Sequence, residues 1–532
     1  MNYTLLNTIV VIYVGILAFL GYLGYRNTKS AGDYVVAGGE VHPFIMALSY
    51  GAAFISTSAI IGFGGAAGAF GMGLLWLTFF TIFVGIFIAF VFFGKRTRYI
   101  GFNLGAMTFP ELMGKRYNSN FIHFFSGIII FVFMPLYAGA VLIGAARFLE
   151  TTLGMNYMTA LLIFTALIAI YVTTGGIKGV MYSDAMQGSI MFLSMGFLLV
   201  FTYYQLGGVT EAHAALEKMT SLVPDQLKAI GHNGWASMPS FGSNMWWVLI
   251  STLVLGVGIG TLAQPQLVVK FMTVKSSKSL NRACLVGGLF IFAMTGVAFV
   301  VGALSNVFFY QTEGQISLSA VAGNFDKVIP LFIKSAMPQW FAYIFMVTLI
   351  AAAISTLSNL FHTMGTALGK DLYEKSFGHK KGSSKRTILF VRLGIIIGIM
   401  VSLFLGYRLP ISIVARATAM FFGIAAATFL PMFMLGIYWK GVTRAGAVAG
   451  MLVGAFSALF WLVFIHAKEA EPLGICQALF GKAVLISSAP WPVIDPICVG
   501  LPTALIVTIV VSLFSKPFDS NHLKTCFQGV TA

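Results

Sequence analysis

The stretch GAAFISTSAIIGFGGAAG, Gly51 through Gly68, sits inside an apolar run but is poorly suited to a continuous helix. Gly51, Gly62, Gly64, Gly65 and Gly68 lower the strain of an unwound backbone, and Ser56, Thr57 and Ser58 place hydroxyls at its centre. Half-helix ends at such a gap offer bare carbonyls to cations and bare amides to anions. The same glycines would also permit tight helix packing, as small residues do in membrane bundles. A second irregular stretch favours the gap. Gly256, Gly258 and Gly260 precede Gln264-Pro265-Gln266, and a proline there removes a donor and frees a carbonyl one turn back.

Around these two stretches the chain repeats apolar runs of about twenty residues, the length needed to cross a hydrocarbon core of roughly 30 Å. The 532 residues are 58% hydrophobic and 9% charged, with mean hydropathy +0.91, a balance foreign to a soluble chain. Thirteen spans are expected, near 4–25, 43–70, 73–94, 120–149, 157–175, 185–206, 243–272, 280–310, 338–368, 387–406, 410–438, 443–465 and 493–514. None alternates as a barrel strand would, so the fold class is all-α and polytopic.

An odd count puts the termini on opposite sides. Placing the N-terminus outside and the C-terminus in the cytoplasm puts Lys95-Arg96-Thr97-Arg98, Lys115-Arg116, Lys275 to Arg282 and Lys370 to Arg392 inside, as the positive-inside rule requires. The net charge of +16 and pI of 9.6 thus reflect topology. Scattered over separate loops, the charges argue against nucleic-acid binding. The first span lacks a basic leader and a cleavage site and reads as a retained helix. Cys284, Cys476, Cys498 and Cys526 show no metal or redox spacing. No Gly-x-Ser-x-Gly, His-Glu-x-x-His or phosphate-cradling lysine loop is present, so an enzyme is not expected. Glu211 to Lys218 has helical spacing within an outer loop, and 370–386 reads as a solvated inner loop.

The irregular second and seventh spans lie five spans apart. Broken helices at corresponding positions of two halves mark a transporter's binding site near the bilayer midplane. Five being odd, the second half enters from the opposite side. The expected organisation is an accessory first helix (1–30), one inverted repeat (31–206, spans 2–6), an outer loop (207–242), a second repeat (243–440, spans 7–11), and accessory spans 12 and 13 with a short inner tail (441–532).

In the ninth span, Ala352, Ser355 and Thr356 share one helix face by their i, i+3, i+4 spacing. A small residue admits a neighbouring backbone, and two hydroxyls supply neutral oxygens to a monovalent cation. The alternative is that these hydroxyls bond back to their own helix.

Several motifs in order and at consistent spacing resemble the sodium/solute symporter family, which includes sodium-coupled proline, pantothenate, monocarboxylate and sugar transporters. They are Asp33-Tyr34-Val35-Val36-Ala37-Gly38-Gly39; Gly144-Ala145-Ala146-Arg147-Phe148-Leu149-Glu150; Gly175-Gly176 followed by Asp184 and Gln187; Ser355-Thr356-Leu357-Ser358 followed by Lys370-Asp371-Leu372-Tyr373; and Trp439-Lys440 through Thr443-Arg444, Gly446-Ala447 and Ala449-Gly450. The resemblance implies a LeuT-type fold of five plus five helices. It also implies a Na⁺ site formed by the carbonyls of Ala52, Ile55 and Ala352 with the hydroxyls of Ser355 and Thr356. Carboxylate-free coordination suits Na⁺ over divalent ions. The chain departs from proline-transporter-like members at Phe54, where they carry an aspartate, and from many members at Glu40, where they carry an arginine.

Other polar residues in the spans each have two readings. Asp184 is either the N-cap of span 6 or, by the resemblance, part of the inner ion path. Arg147 and Glu150 share a face and can pair. Arg416 either snorkels or attracts a carboxylate solute. Gln264, beside the proline, either contacts solute or bonds a neighbouring helix, and Ser56 lies in the gap. His362 either faces a cavity or couples to protons.

The expected function is Na⁺-coupled symport of a small organic solute, an anionic or zwitterionic carboxylate, across the cell membrane by alternating access. Na⁺ is the coupling ion, the lipid bilayer the surroundings, and no obligate protein partner is evident. The alternatives are a proton-coupled or uncoupled permease on the same fold and a transport-inactive sensor.

Overall fold

A computed structural model describes residues 3–26, 41–174, 177–374 and 384–530. The Asp33 to Gly39 motif, Glu40 and Gly175-Gly176 lie outside these residues. Among the described residues, nine helices are long and apolar enough to cross a membrane, and four shorter apolar helices accompany them. No ladder of strands forms among them; a single parallel bridge joins Val41 to Val274. In lipid every backbone group must be satisfied within its own segment, and the helices do this.

The second span is interrupted as its sequence anticipates. A helix runs Pro43–Phe54, its Pro43 at the first position and the His42 ring capping Phe44 N. Ile55 then turns extended, at φ −80° and ψ 102°, before helical backbone resumes as Ser58–Phe63 and Gly64–Phe70. The seventh span breaks likewise. Helical backbone from Asn244 reaches Ala263, Gln264 goes extended at ψ 112°, and Pro265–Val268 restarts it. The inner ends of the two broken spans meet, since Val41 N donates to the Thr273 carbonyl at 3.0 Å.

Between them stand two nearly uninterrupted helices, Asn120–Leu153 and Gln339–Thr366, both largely buried. Span 6 forms within a longer helix, Ile177–Gln205. Asp184 therefore sits two turns inside it, and the N-cap reading is corrected: the segment after Gly176 is already helical.

The end of the bundle beyond Gly68 is closed. The loop 207–242 contains the expected helix, Val209–Lys218, and folds back over the end of span 2. Trp235, fully buried, donates its indole N–H to the Gly68 carbonyl at 2.9 Å, and Asn306 donates to that same carbonyl at 2.9 Å. Gly71 turns the chain there with φ +67°, a conformation that favours glycine. From another loop, the buried Asp326 carboxylate lies beside the backbone amides of Ser412, Ile413 and Val414 at the start of Val414–Tyr438. Its neighbour Lys327 binds Glu150 at 3.1 Å, and Glu150 also takes the expected Arg147 pair at 2.9 Å.

The connection after span 12 (Arg444–Phe464) returns into the bundle. Asp495 N donates to Ser251 Oγ at 3.0 Å, and the Asp495 carboxylate caps Ile497 N at the start of Ile497–Leu513. Gly446 and Gly450 let span 12 pack closely on span 13, where a Cβ would collide with Ser512 and Thr508, and Gly454 lets it pack on span 11, where a Cβ would collide with the Ala427 carbonyl.

Candidate ion and solute site

The gap in span 2 faces span 9. Thr356 Oγ1 donates to the Ala52 carbonyl at 3.4 Å, a long hydrogen bond between the last turn of the first half-helix and the ninth span. Ser355 Oγ is buried and has no partner among the described residues, while Ser358 Oγ bonds back to Ile354 O. Ala52, Ile55 and Ala352 are all fully buried. Thr356 thus meets Ala52 directly, and Ile55, Ala352 and Ser355 are buried on the same two helical segments or at the break in span 2. The back-bonding alternative holds for Ser358 and not for the aligned pair.

Beside this cluster lies an apolar chamber. Phe54, Phe63, Phe299 and Phe422 line it, with Ser56, Thr81, Thr295 and Thr418 offering hydroxyls. Tyr137 Oη reaches Ser56 Oγ and the Phe54 carbonyl, each at 3.4 Å, which holds the gap against span 4. Phe54 and Phe422 rings meet at 6.4 Å, so the position at which the sequence departs from proline-transporter-like members forms a wall of this chamber.

A second cavity has a largely apolar lining that includes Met107, Phe109 and Ile130, into which Thr108, Gln266, Asn359, His362, Thr366 and Asp371 bring polar groups. Asp371 contradicts the reading of 370–386 as solvated from its first residues. Its buried carboxylate holds His123 Nε2 and Thr108 Oγ1, both at 2.7 Å on Oδ1. Beside it Lys370 binds Glu111 at 2.8 Å, and Lys115 does the same at 2.8 Å. Burial pushes the Glu111 carboxyl up, but the two ammonium groups and the Met107 amide outweigh it and hold it down at about 2.

Between chamber and cavity sits a group the sequence reading passed over. Lys270, on the inner half of broken span 7, is fully buried. Its Nζ donates to Ser49 O at 2.7 Å and Ser49 Oγ at 2.6 Å, and pairs with Asp184 Oδ2 at 3.3 Å. Ser49 Oγ donates to that carboxylate at 2.7 Å. Asn359 donates to it at 3.1 Å and to the Ser355 carbonyl at 2.7 Å. Asp184 thereby stands one side chain away from the hydroxyl pair. The signal in the sequence was the charge itself, a lysine five residues past Pro265 in an apolar run.

The remaining residues singled out from sequence separate. Ser56 lines the chamber. Gln264 is buried but turns back to its own helix, donating to Gly260 O at 3.1 Å and accepting from Gln266 at 3.2 Å. Arg416 points away from the chamber to the span 12–13 connection, where its Nε lies 3.2 Å from Glu469 Oε1, and His466 binds the other oxygen of Glu469.

A model of the sodium:solute symporter family matches residues 34–454. A sodium/proline symporter 2 of Staphylococcus saprophyticus is 27% identical over 530 residues, covering 95% of this chain and 92% of that one. A sodium/proline symporter of Staphylococcus aureus is 27% identical over 528 residues, with the same coverage. Among solved structures, a Na⁺-coupled sialic acid symporter superposes with a TM-score of 0.74 at 18% identity, over 97% of this chain and 98% of that one. A nucleobase-cation-symport-1 family transporter in a closed conformation gives 0.50 at 12% identity, over 93% and 99%. The last two likenesses concern the fold, that of the LeuT type with its paired broken helices, while the match over four-fifths of the sequence settles descent: this chain belongs to the sodium:solute symporter family.

Proposed function

We propose that the chain carries a small organic carboxylate into the cell together with Na⁺, the ion resting on the carbonyls of Ala52, Ile55 and Ala352 and the hydroxyls of Ser355 and Thr356. The single observation that carries this reading is the pairing of a strand-like gap in span 2 with two aligned hydroxyls, one of them buried without a partner. A buried hydroxyl left unpaired costs about 1–3 kcal/mol, and a bound cation removes that cost. Neutral oxygens suit a monovalent ion.

The solute would lie in the adjoining chamber, its apolar body against Phe54, Phe63, Phe299 and Phe422. Among the described residues no basic side chain lines that chamber. A carboxylate there would be met by Na⁺ and by the helix start near Thr57, where Ser56 Oγ takes the Ser58 amide, not by Arg416, nor by Gln264. Compact carboxylates with an apolar body, whether zwitterionic or anionic, fit best. The staphylococcal relatives named for proline point to the zwitterionic side of that class.

The loop fastened over Gly68 and the cavity at Asn359, His362 and Asp371 support an arrangement leaning toward the cytoplasm. Spans 2–6 and 7–11 would move as two inverted halves among thirteen crossings, in the cell membrane, with the N-terminus outside. Coupling requires that Na⁺ prefer one arrangement, since an ion with equal affinity for both shifts nothing. Asp184 would flank the ion on its way inward.

Proteoliposomes loaded with choline and diluted into Na⁺ medium test this. Labelled proline, lactate and pantothenate are offered in turn, with K⁺, choline or an acid pH outside as controls. Uptake of at least one carboxylate should require Na⁺. Equal uptake in choline would overturn the coupling, and uptake driven by acid pH alone would replace Na⁺ with H⁺.

A further inference from the structure

We propose that Lys270 is a cation supplied by the chain itself, filling an oxygen-lined position beside Asp184 that would otherwise take a second Na⁺. The inference rests on the Na⁺ site proposed above and concerns how many ions that region accepts.

An ammonium has three N–H donors and no acceptor. Lys270 Nζ meets three oxygens: the Ser49 carbonyl, the Ser49 hydroxyl and Asp184 Oδ2. Lys270 and Asp184 are both fully buried, so each neutralises a charge that would be costly alone. The Ser49 carbonyl lies one helical turn before the Ala52 carbonyl, on the same half-helix that receives Thr356. Asn359 ties Asp184 to the Ser355 carbonyl. The ammonium therefore occupies the ground adjoining the proposed ion site, joined to it by two helices.

Two buried oxygens stay unpartnered among the described residues, Asp184 Oδ1 and Ser355 Oγ. Asp184 Oδ1 and the two Ser49 oxygens are hard donors, one of them anionic, of the kind that holds a free alkali ion. The ammonium keeps that set neutral without drawing an ion from solution. Lys270 rides on the inner half of span 7, while Ser49 and Asp184 belong to spans 2 and 6, so this internal cation also joins the two proposed halves.

The test is Na⁺ binding by the purified full-length protein, read with ²²Na⁺ by scintillation proximity and needing no solute. Wild type should bind a single Na⁺ without cooperativity. Lys270→Met should expose the carboxylate and bind a second Na⁺. Lys270→Met with Asp184→Asn, an uncharged pair suited to the same space, should return to a single ion. Wild type binding two ions would overturn the proposal whatever the variants do, as would loss of Na⁺ binding in the uncharged pair or a folded Lys270→Met that still takes a single ion. Ser355→Ala with Thr356→Ala separates the two readings: Na⁺ binding undiminished in that variant sinks the proposed Na⁺ site, whereas the Lys270 proposal is judged by the ion count alone.

Discussion

Trp235 donates its indole N–H to the Gly68 carbonyl across 167 residues of chain, and so fastens an outer loop onto the end of the interrupted span 2. The ring is fully buried, and the carbonyl it takes also serves Asn306. Trp235→Ala removes both packing and donor and should cost about 3–5 kcal/mol. Trp235→Phe keeps most of the packing and should cost about 1 kcal/mol. Thermal unfolding in detergent should rank wild type above Phe above Ala; equal midpoints would show that the loop is not fastened there.

Ser355→Ala combined with Thr356→Ala should weaken the Na⁺ dependence of uptake by about tenfold or more, equivalent to ~1.4 kcal/mol. The half-saturating Na⁺ concentration measures it. A well-folded double variant with unaltered Na⁺ affinity would remove both hydroxyls from ion binding.

Arg416→Gln should act on stability rather than on solute choice, because the guanidinium faces Glu469. The loss should shrink when Glu469→Gln is added, with a coupling energy of about 1 kcal/mol in the double-mutant cycle. Selective loss of anionic solutes, with stability intact, would return Arg416 to the solute path.

Glu111 makes a prediction in pH. Its carboxyl is held at about 2 in the folded protein, below its ordinary value, chiefly by Lys370 and Lys115 against the effect of burial. A depressed carboxyl contributes stability that is complete above its unfolded pKa and is lost as pH falls toward the folded one. Wild type should therefore exceed Glu111→Gln in thermal stability at pH 7, and the margin should narrow from about pH 4 downward. A margin independent of pH would mean that the inner-loop pairs contribute nothing.

The parts of the fold that were legible in the sequence rest on local periodicity. Apolar length marks the spans, glycine and hydroxyl spacing marks the gap at Ile55, and the i, i+3, i+4 pattern places Ser355 and Thr356 on the face that meets it. Arg147 and Glu150 are likewise close in sequence and pair as expected. What escaped has its partner far along the chain. Lys270 finds Asp184 86 residues away and Asp371 finds His123 248 away, and neither leaves a repeating trace in the sequence. Arg416 finds its ion-pair partner in the same way, at Glu469 in the short helix Ala467–Leu473 beyond the next span. Asp184 resembles a helix cap only if the helix begins at the apolar run, and the helix begins seven residues earlier, at Ile177.

The Asp495 hinge-pin between spans 7 and 13 bears on how the chain can be shortened. Its amide holds Ser251 and its side chain lies against Gly423, so the helix Ile497–Leu513 is clamped to the interrupted span 7 and to Val414–Tyr438 at once. A protein cut after span 12 would lose more than a peripheral helix: it would leave the seventh and eleventh helices without a shared brace, and transport should fail before insertion into the bilayer does.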